Sequence, residues 1–359
     1  MTRDVPFLHW CGCVTSVKDI SDIRDVLGAL GVTDHDVASA EASGTLMALA
    51  AELFLLPGER VYDHQELAER VGVRADELAR LWLALGFAPT NADEKAFTDA
   101  DVKVIRTLVA DGTELSSDYT LHEARVISSA LARIAEVFID EMWDRHRSAG
   151  QSDEQALTEM EGLDVERVER LLLSLLRRHL VAAVYRRAAL HDQSQRLGQA
   201  SLAVGFADLT GFTELSHGLT SQELTRLIVS FEQRAFDLIA EMGGRVVKTI
   251  GDEVMFTFDT APVAAELALR LSDTSDPTVP PLRIGLAYGP ALVRQGDCYG
   301  PTVNLASRIA GVAKSGEVVV DAALGQAVDG DSRFVLTSMG EATLKGFGPV
   351  ALSLLSRSQ

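Results

Sequence analysis

Cysteine is scarce in this chain, with three in 359 residues: Cys11, Cys13 and Cys298. So sparse and odd a set builds no disulfide framework and fits a reduced, cytoplasmic setting. The Cys11-x-Cys13 pair near His9 lacks the second pair that would complete a tetrahedral metal cage. Positive charge is also short, with 33 Lys and Arg against 52 Asp and Glu and a formal net charge of -19. That balance repels phosphate backbones and excludes a broad nucleic-acid surface, while an anionic small substrate could still bind where metal ions neutralise it. Long apolar runs are missing as well. The most apolar early stretch, Leu46 to Leu56, contains Glu52 and stops at Pro57-Gly58, far short of the ~20 residues that a membrane span needs. Asp4 interrupts the start, and no apolar leader core follows it. What the chain does have is 47% apolar and 24% charged residues, the make-up of a folded globular protein long enough for two domains.

From Val17 to about Leu190 the pattern is helical. Thr33 to Leu56 carries one apolar face, and Thr120-Leu121-His122-Glu123 reads as a capping box. Ile127, Leu131, Ile134, Phe138 and Met142 then recur at helical spacing. A further helix, Asp164 to about Leu190, is rich in Leu171, Leu172, Leu175, Leu176, Leu180 and Val184, and the polar segment His191 to Gln199 follows it. These features predict a helical domain over 1–190, a linker or switch over 191–200 and a second domain over 201–359. Within the first, Asp63 to Phe87 is similar to a helix-turn-helix bent at Gly72. Asp76 and Glu77 beside Arg74 and Arg80 argue against DNA contact, and Trp82 with Leu81, Leu83 and Leu85 reads as core. The wealth of Leu, Ala and Val in this half leaves two readings open, ordinary core packing or a pocket for a lipid-like ligand.

Past the seam the period changes. Leu202 to Ala207 reads as a strand, and Thr220-Ser221-Gln222-Glu223 caps a helix that Gly243-Gly244 stops. Val246 to Phe258, VVKTIGDEVMFTF, makes a hairpin about Gly251-Asp252. A helix from Pro262 to Leu271 comes next, then strands near Leu282 to Tyr288 and Ala291 to Gln295, a helix opened by Pro301, and strands at Glu317 to Val320, Phe334 to Leu336 and Val350 to Leu355. The order predicts an α+β protein whose second domain is a ferredoxin-like, split βαβ sheet. In such a sheet Asp208, at the end of the first strand, and Asp252, at the hairpin tip, meet on neighbouring central strands. Hard oxygen ligands so placed suit Mg²⁺ or Mn²⁺ bridging a triphosphate. The Gly-containing loop Leu209 to Thr213 offers backbone N–H groups to phosphate.

FADLTGFT (Phe206 to Thr213), KTIGDEVMF (Lys248 to Phe256) and GDCYGPTVNLASRI (Gly296 to Ile309) follow in that order. Together they resemble the catalytic domain of class III nucleotide cyclases, over roughly Ser201 to Leu355. The resemblance implies Asp208 and Asp252 as metal-binding aspartates with the Leu209 backbone beside them, and two divalent ions per site. It implies Lys248 and Asp297 as the pair that reads the purine, in a pattern suited to adenine. Asn304 would orient the ribose, and Arg308 would stabilise the transition state. Phe212 and Thr213 would lie at the triphosphate. Lys345 is either a further phosphate contact or a solvated lysine beside a glycine turn. Cys298, inside the third motif, reads as packing. In this family the site lies between two cyclase domains, metal and base-reading residues on one facing the Asn/Arg pair of the other. A chain with all six positions filled therefore implies a head-to-tail homodimer that binds ATP.

The whole arrangement further resembles actinobacterial adenylate cyclases with an N-terminal regulatory domain, which implies autoinhibition relieved in acid. His179 and His191 on the connecting segment are either the sensor or surface histidines. The rival readings are a silent nucleotide sensor, a diguanylate cyclase and a ligand-responsive transcription regulator. No core position is lost as a sensor would lose it, and a diguanylate cyclase has no place for the Asn304/Arg308 helix.

Overall fold

A computed structural model describes residues 23–29, 32–56, 58–91, 93–109, 115, 117–151, 165–197, 201–273 and 280–358; the side chains of Ile23, Val26, Ala29, Val109, Val165, 190–197, Thr213 and Ser221 fall outside that description. Cys11 and Cys13 lie outside the described residues. The chain divides into two compact units, Met1–Leu172 and Leu173–Gln359.

The first unit is helical: α1 (Ile23–Ala29), α2 (Asp34–Ser43), α3 (Leu46–Leu55), α4 (His64–Val71), α5 (Ala75–Ala84), α6 (Asp99–Val109) and α7 (Asp118–Ser148). The apolar stretch from Thr33 to Leu56 is two helices, because Gly44 takes the left-handed conformation (φ 71°) and turns its N–H back onto the Ala40 and Glu41 carbonyls. The start of α7 is one turn earlier than the capping box suggests. Ser117 is the cap, its hydroxyl accepting the Thr120 N–H at 3.1 Å. Leu67, Leu78, Leu81, Phe97, Ile105 and Leu121 form a core around α4 to α6. Leu27, Val37 and Ala50 form a smaller one with Ile139, Met142 and Trp143 of α7. The helix-turn-helix segment is present as α4, Gly72 (φ 79°) and α5. Arg74 at the head of α5 is paired with Asp76 at 2.9 Å. Trp82 packs edge-on to Phe97, but Leu83, expected in the core, is 57% exposed.

α8 (Val165–Leu197) runs unbroken through His191, so the polar segment after Leu190 is helical as far as Leu197. Its leucines are not a core face within the chain: Leu171, Leu175, Leu176, Leu180 and Val184 are all exposed.

The second unit is built on a seven-stranded sheet in the order β2-β3-β1-β4-β7-β9-β8. The strands are β1 (Ser201–Leu209), β2 (Arg245–Ile250), β3 (Glu253–Phe258), β4 (Leu282–Pro290), β7 (Val318–Asp321), β8 (Phe334–Leu344) and β9 (Gly348–Arg357); β5 (Leu292–Arg294) and β6 (Asp297–Tyr299) pair apart from it. The helices are α9 (Phe212–Ser216), α10 (Ser221–Glu241), α11 (Ala261–Ser272), α12 (Pro301–Val312) and α13 (Ala322–Val328). The order β2-β3-β1-β4 is the expected split βαβ core, and β7, β9 and β8 extend it on one side. α10 starts on the expected box, with Thr220 and Glu223 exchanging hydrogen bonds.

Alternation along β1 sorts the sheet's two faces. Ala203, Ala207 and Leu209 pack with Phe231 and Ile239 of α10 and Leu267 of α11. Leu202, Val204 and Phe206 pack with Ala306, Ile309 and Ala310 of α12. α12 sits very close to β4: a Cβ on Gly285 would lie 2.1 Å from the Ala310 nitrogen and 2.6 Å from the Ala306 carbonyl oxygen. Only a bare glycine permits that seat. Cys298 is buried in the same face.

Candidate active site

Asp208 lies near the end of β1, on the α12 face of the sheet by its parity with Phe206. Antiparallel pairing sets Glu253 of β3 on one side of it and Arg283 of β4 on the other. Asp252 joins them from the tip of the β2–β3 hairpin, where its carbonyl accepts the Leu209 N–H at 3.2 Å. The Arg283 guanidinium donates to the Asp208 carboxylate. Burial pushes the Asp208 carboxyl up, and the neighbouring Asp252 adds to the rise against the pull of Arg283. Burial, with Asp208 and Asp252 alongside, pushes the Glu253 carboxyl up to about 7. Three carboxyls and one guanidinium thus share a partly buried corner.

Such a corner calls for a cation, and Arg283 is the one standing there. Among the described residues no three His, Cys, Asp or Glu side chains converge as a complete metal cage. The donor set of Asp208 and Asp252 nonetheless fits a divalent ion of the magnesium kind, which takes one or two carboxylates and fills its remaining positions with water and phosphate oxygens.

Lys248 and Asp297 form a second cluster. The ammonium on β2 donates to the carboxylate on β6 at 2.7 Å. Burial works to raise Asp297, but Lys248 and the Cys298 N–H, which donates to it at 2.7 Å, hold its carboxyl below the usual range. Asn304 and Arg308 make up the third cluster, exposed one turn apart on α12 while Thr302, Ala306, Ile309 and Ala310 face the sheet.

Phe212 opens α9 and packs partly buried on the α10 side; the Thr213 side chain lies outside the described residues. Leu209 is buried by its side chain and belongs to the site by its backbone. Lys345 is exposed in the turn joining β8 to β9, at the sheet edge opposite β2. His179 is exposed on α8, and the His191 side chain lies outside the described residues. In the first unit a cavity of about 550 Å³ is lined by Val61, Tyr62, Glu66, Glu69, Arg70 and Arg106, a charged wall unlike the apolar one an acyl chain requires. Glu253, Arg283 and Arg245, which donates to the Gly296 carbonyl, are site neighbours absent from the sequence reading. Each is brought in by strand register.

The fold and these clusters match a nucleotide-cyclase type of catalytic domain: two facing carboxylates on a split βαβ sheet, a Lys/Asp pair that ties the β5–β6 ribbon to it, and an Asn/Arg pair on the helix that covers it. The family described as the adenylate and guanylate cyclase catalytic domain matches residues 194–356. The adenylate cyclase of Streptomyces coelicolor is 37% identical over 295 residues, spanning 80% of this chain and 77% of that one. The adenylate cyclase of Glutamicibacter nicotianae is 34% identical over 317 residues, 82% of this chain and 79% of that one. A pH-sensitive adenylate cyclase of Mycobacterium tuberculosis is 30% identical over 313 residues, 82% of this chain and 77% of that one. The chain belongs to the class III adenylate cyclases, in their actinobacterial group. Among the described residues no helix is long and apolar enough to cross a membrane.

Proposed function

We propose that this enzyme converts ATP to 3′,5′-cyclic AMP and pyrophosphate at sites formed between two copies of the chain, with the N-terminal helical unit holding activity down until the medium turns acid. The observation that carries the chemistry is the corner where Asp208 and Asp252 face each other, with Lys248 of the same sheet paired to Asp297 of the β5–β6 ribbon. Asp208 and Asp252 would hold two divalent ions, Mg²⁺ or Mn²⁺, which lower the pKa of the ribose 3′-hydroxyl and offset charge on the phosphates. Lys248 donates to a ring nitrogen of adenine, and Asp297 accepts from its exocyclic amine. Guanine presents the opposite pattern on that edge. Asn304 orients the ribose for in-line attack on the α-phosphorus. Arg308 meets the charge that builds on the phosphoryl oxygens with a planar fork of donors. Arg283 donates to the Asp208 carboxylate and so stands beside the place where the ions would be held. Asn304 and Arg308 stand exposed on α12, which supports the reading that they serve the site of the second copy.

The regulatory part rests on the pH-sensitive relative and on α8, one helix that runs across the boundary between the two units. The test is cyclic nucleotide formation by the purified full chain with Mn²⁺ and either ATP or GTP, at about pH 5.5 and about pH 8, on either side of the histidine range. Product from ATP alone, higher in acid and absent from Asp252→Ala, is the expected result. A silent full chain beside an active fragment from Gly198 onward shows a working cyclase held off by its N-terminal unit. Silence from both leaves a nucleotide sensor. Normalised pH profiles that overlay for chain and fragment remove the N-terminal unit as sensor. Replacing Lys248 with Glu and Asp297 with Cys is expected to erase discrimination against GTP, and intact discrimination would sink the base-reading assignment.

A further inference from the structure

Asp297 sits on a hairpin whose β6 strand is anchored by the buried Cys298, but whose turn has no ladder to the main sheet. β5 and β6 have three residues each and pair only with one another, and a two-stranded ribbon of that size is marginal alone. Its turn is Gln295-Gly296, with φ of 52° and 81°, the pair of left-handed residues that a type I′ turn requires. Gly296 accepts that conformation readily. Gln295 is the only described non-glycine residue with positive φ, and it carries a Cβ that disfavours it. A tie from a neighbouring strand to this turn helps keep it closed and aimed.

β2 supplies it. Register in β2 shifts between Val246 and Lys248, a bulge that sets Arg245 opposite Thr257 and Lys248 opposite Met255. Thr257 and Met255 are two apart and share a face of β3. Arg245 and Lys248, three apart in sequence, therefore share a face too, which a regular strand forbids. The two cations then take hold of consecutive residues: Arg245 donates to the Gly296 carbonyl, and Lys248 donates to the Asp297 carboxylate at 2.7 Å. Arg245 is half-buried beside a cavity of about 930 Å³, which Arg186 and Arg187 of α8 also line. Burial and the like charge of Arg186 both work against its guanidinium, so the arginine is not there for want of a better place to be solvated.

We propose that Arg245 is a positioning residue for base recognition: it clamps the Gln295-Gly296 turn to β2 so that Asp297 is presented to the adenine edge beside Lys248. The inference rests on the reading of Lys248 and Asp297 as the base-reading pair. It does not require Arg245 to touch substrate.

The experiment measures kcat and KM for ATP and for GTP on the full chain carrying Arg245→Met, Arg245→Lys, Arg245→Met with Gln295→Gly, and Asp297→Ala, with a thermal melt of each. Arg245→Met is expected to lower the ATP-over-GTP ratio of kcat/KM by about tenfold, the scale of one hydrogen bond from a charged donor. The loss should appear mainly as a higher KM for ATP, with GTP turnover little changed. Adding Gln295→Gly should restore part of the ratio, because the turn then forms without the guanidinium. Were the methionine variant unstable, the lysine variant carries the same test, since its single-line donor holds the turn less well than a fork and the ratio still falls. Equal loss on both nucleotides at an unchanged melting temperature, or an unchanged ratio, overturns the proposal. A ratio lowered by Asp297→Ala but untouched by Arg245→Met overturns this inference alone. A ratio untouched by Asp297→Ala removes the base-reading assignment and the clamp with it.

Discussion

Arg308 shows how much a single side chain is asked to do. It is exposed on α12, so truncating it leaves the core of the unit as it is. Arg308→Ala is therefore expected to leave the melting temperature nearly unchanged and to lower kcat by about 10² to 10³, the usual loss for one preorganised donor to a developing oxyanion. Arg308→Lys should recover little of that, because a point charge on a flexible stem does not match two oxygens at once. Steady-state kinetics beside a thermal melt checks both, and a variant that lost stability along with rate would reassign Arg308 to structure. At this scale the sequence was legible wherever a residue lay inside a contiguous motif: Asp208, Lys248, Asp252, Asp297, Asn304 and Arg308 stand in three short stretches. Arg283 was not legible. It meets Asp208 from 75 residues away only because β1 and β4 pair at that register, and nothing local to LRIGLAYG announces it. The Arg245 clamp was hidden in the same way, since a bulge that moves a side chain to the other face leaves no mark in an alternating run.

Among the elements, α12 and its seat decide whether Asn304 and Arg308 are aimed at all. A methyl group on Gly285 would meet the backbone of Ala306 and Ala310, and backbone cannot step aside as a flexible side chain can. Gly285→Ala is expected to cost about 1–3 kcal/mol, at the upper end for overpacking, and to reduce kcat further by lifting α12 from the sheet. Denaturant unfolding and turnover at low temperature separate the two losses, and a variant with wild-type stability would show the seat to be looser than described. At the start of α13, Asp321 is buried and its carboxylate accepts the Leu324 N–H at 2.9 Å and the Tyr288 N–H at 3.3 Å, tying helix to β4. Burial raises its carboxyl above the ordinary value of 3.8. The folded state thus keeps a proton that the unfolded chain has released, and this group's contribution to stability falls as pH rises from that value through the raised one. Asp321→Asn keeps both acceptor contacts without the buried charge, so it should match or exceed the wild type in stability near neutral pH and flatten that decline. Asp321→Ala should lose about 0.5–2 kcal/mol with the cap. Urea unfolding across the acid range reads both, and an asparagine variant less stable at neutral pH would contradict the sign. Helix and strand existence was plain from periodicity along most of the second unit. The Gly44 break was not, because one apolar face continued across it, and α13 was passed over because seven residues hold too short a period to read.

For the whole molecule, the sequence told of two units and one catalytic domain but not of how the long helices are used. The leucines of α8 and Ile127, Leu131 and Phe138 of α7 recur at core spacing yet are exposed in the single chain, and spacing does not say who covers a stripe. The catalytic unit allows a sharper test, because the proposed dimer takes the carboxylates of each site from one copy and its Asn/Arg pair from the other. If a working site takes Asp252 from one copy and Arg308 from the other, then Asp252→Ala and Arg308→Ala each disable both sites of a homodimer. A mixed dimer of the two behaves differently: one of its sites collects both defects, and the other collects neither. Equal amounts allowed to exchange subunits give about half mixed dimers with one sound site in two, so about a quarter of wild-type activity should return from two nearly inactive preparations. Cyclic AMP formation before and after co-refolding or co-expression of the two variants measures this. Activity that stays at the level of the separate variants, while size measurements show dimers, would mean that each site is completed within one chain and that the exposed Asn304 and Arg308 serve another purpose.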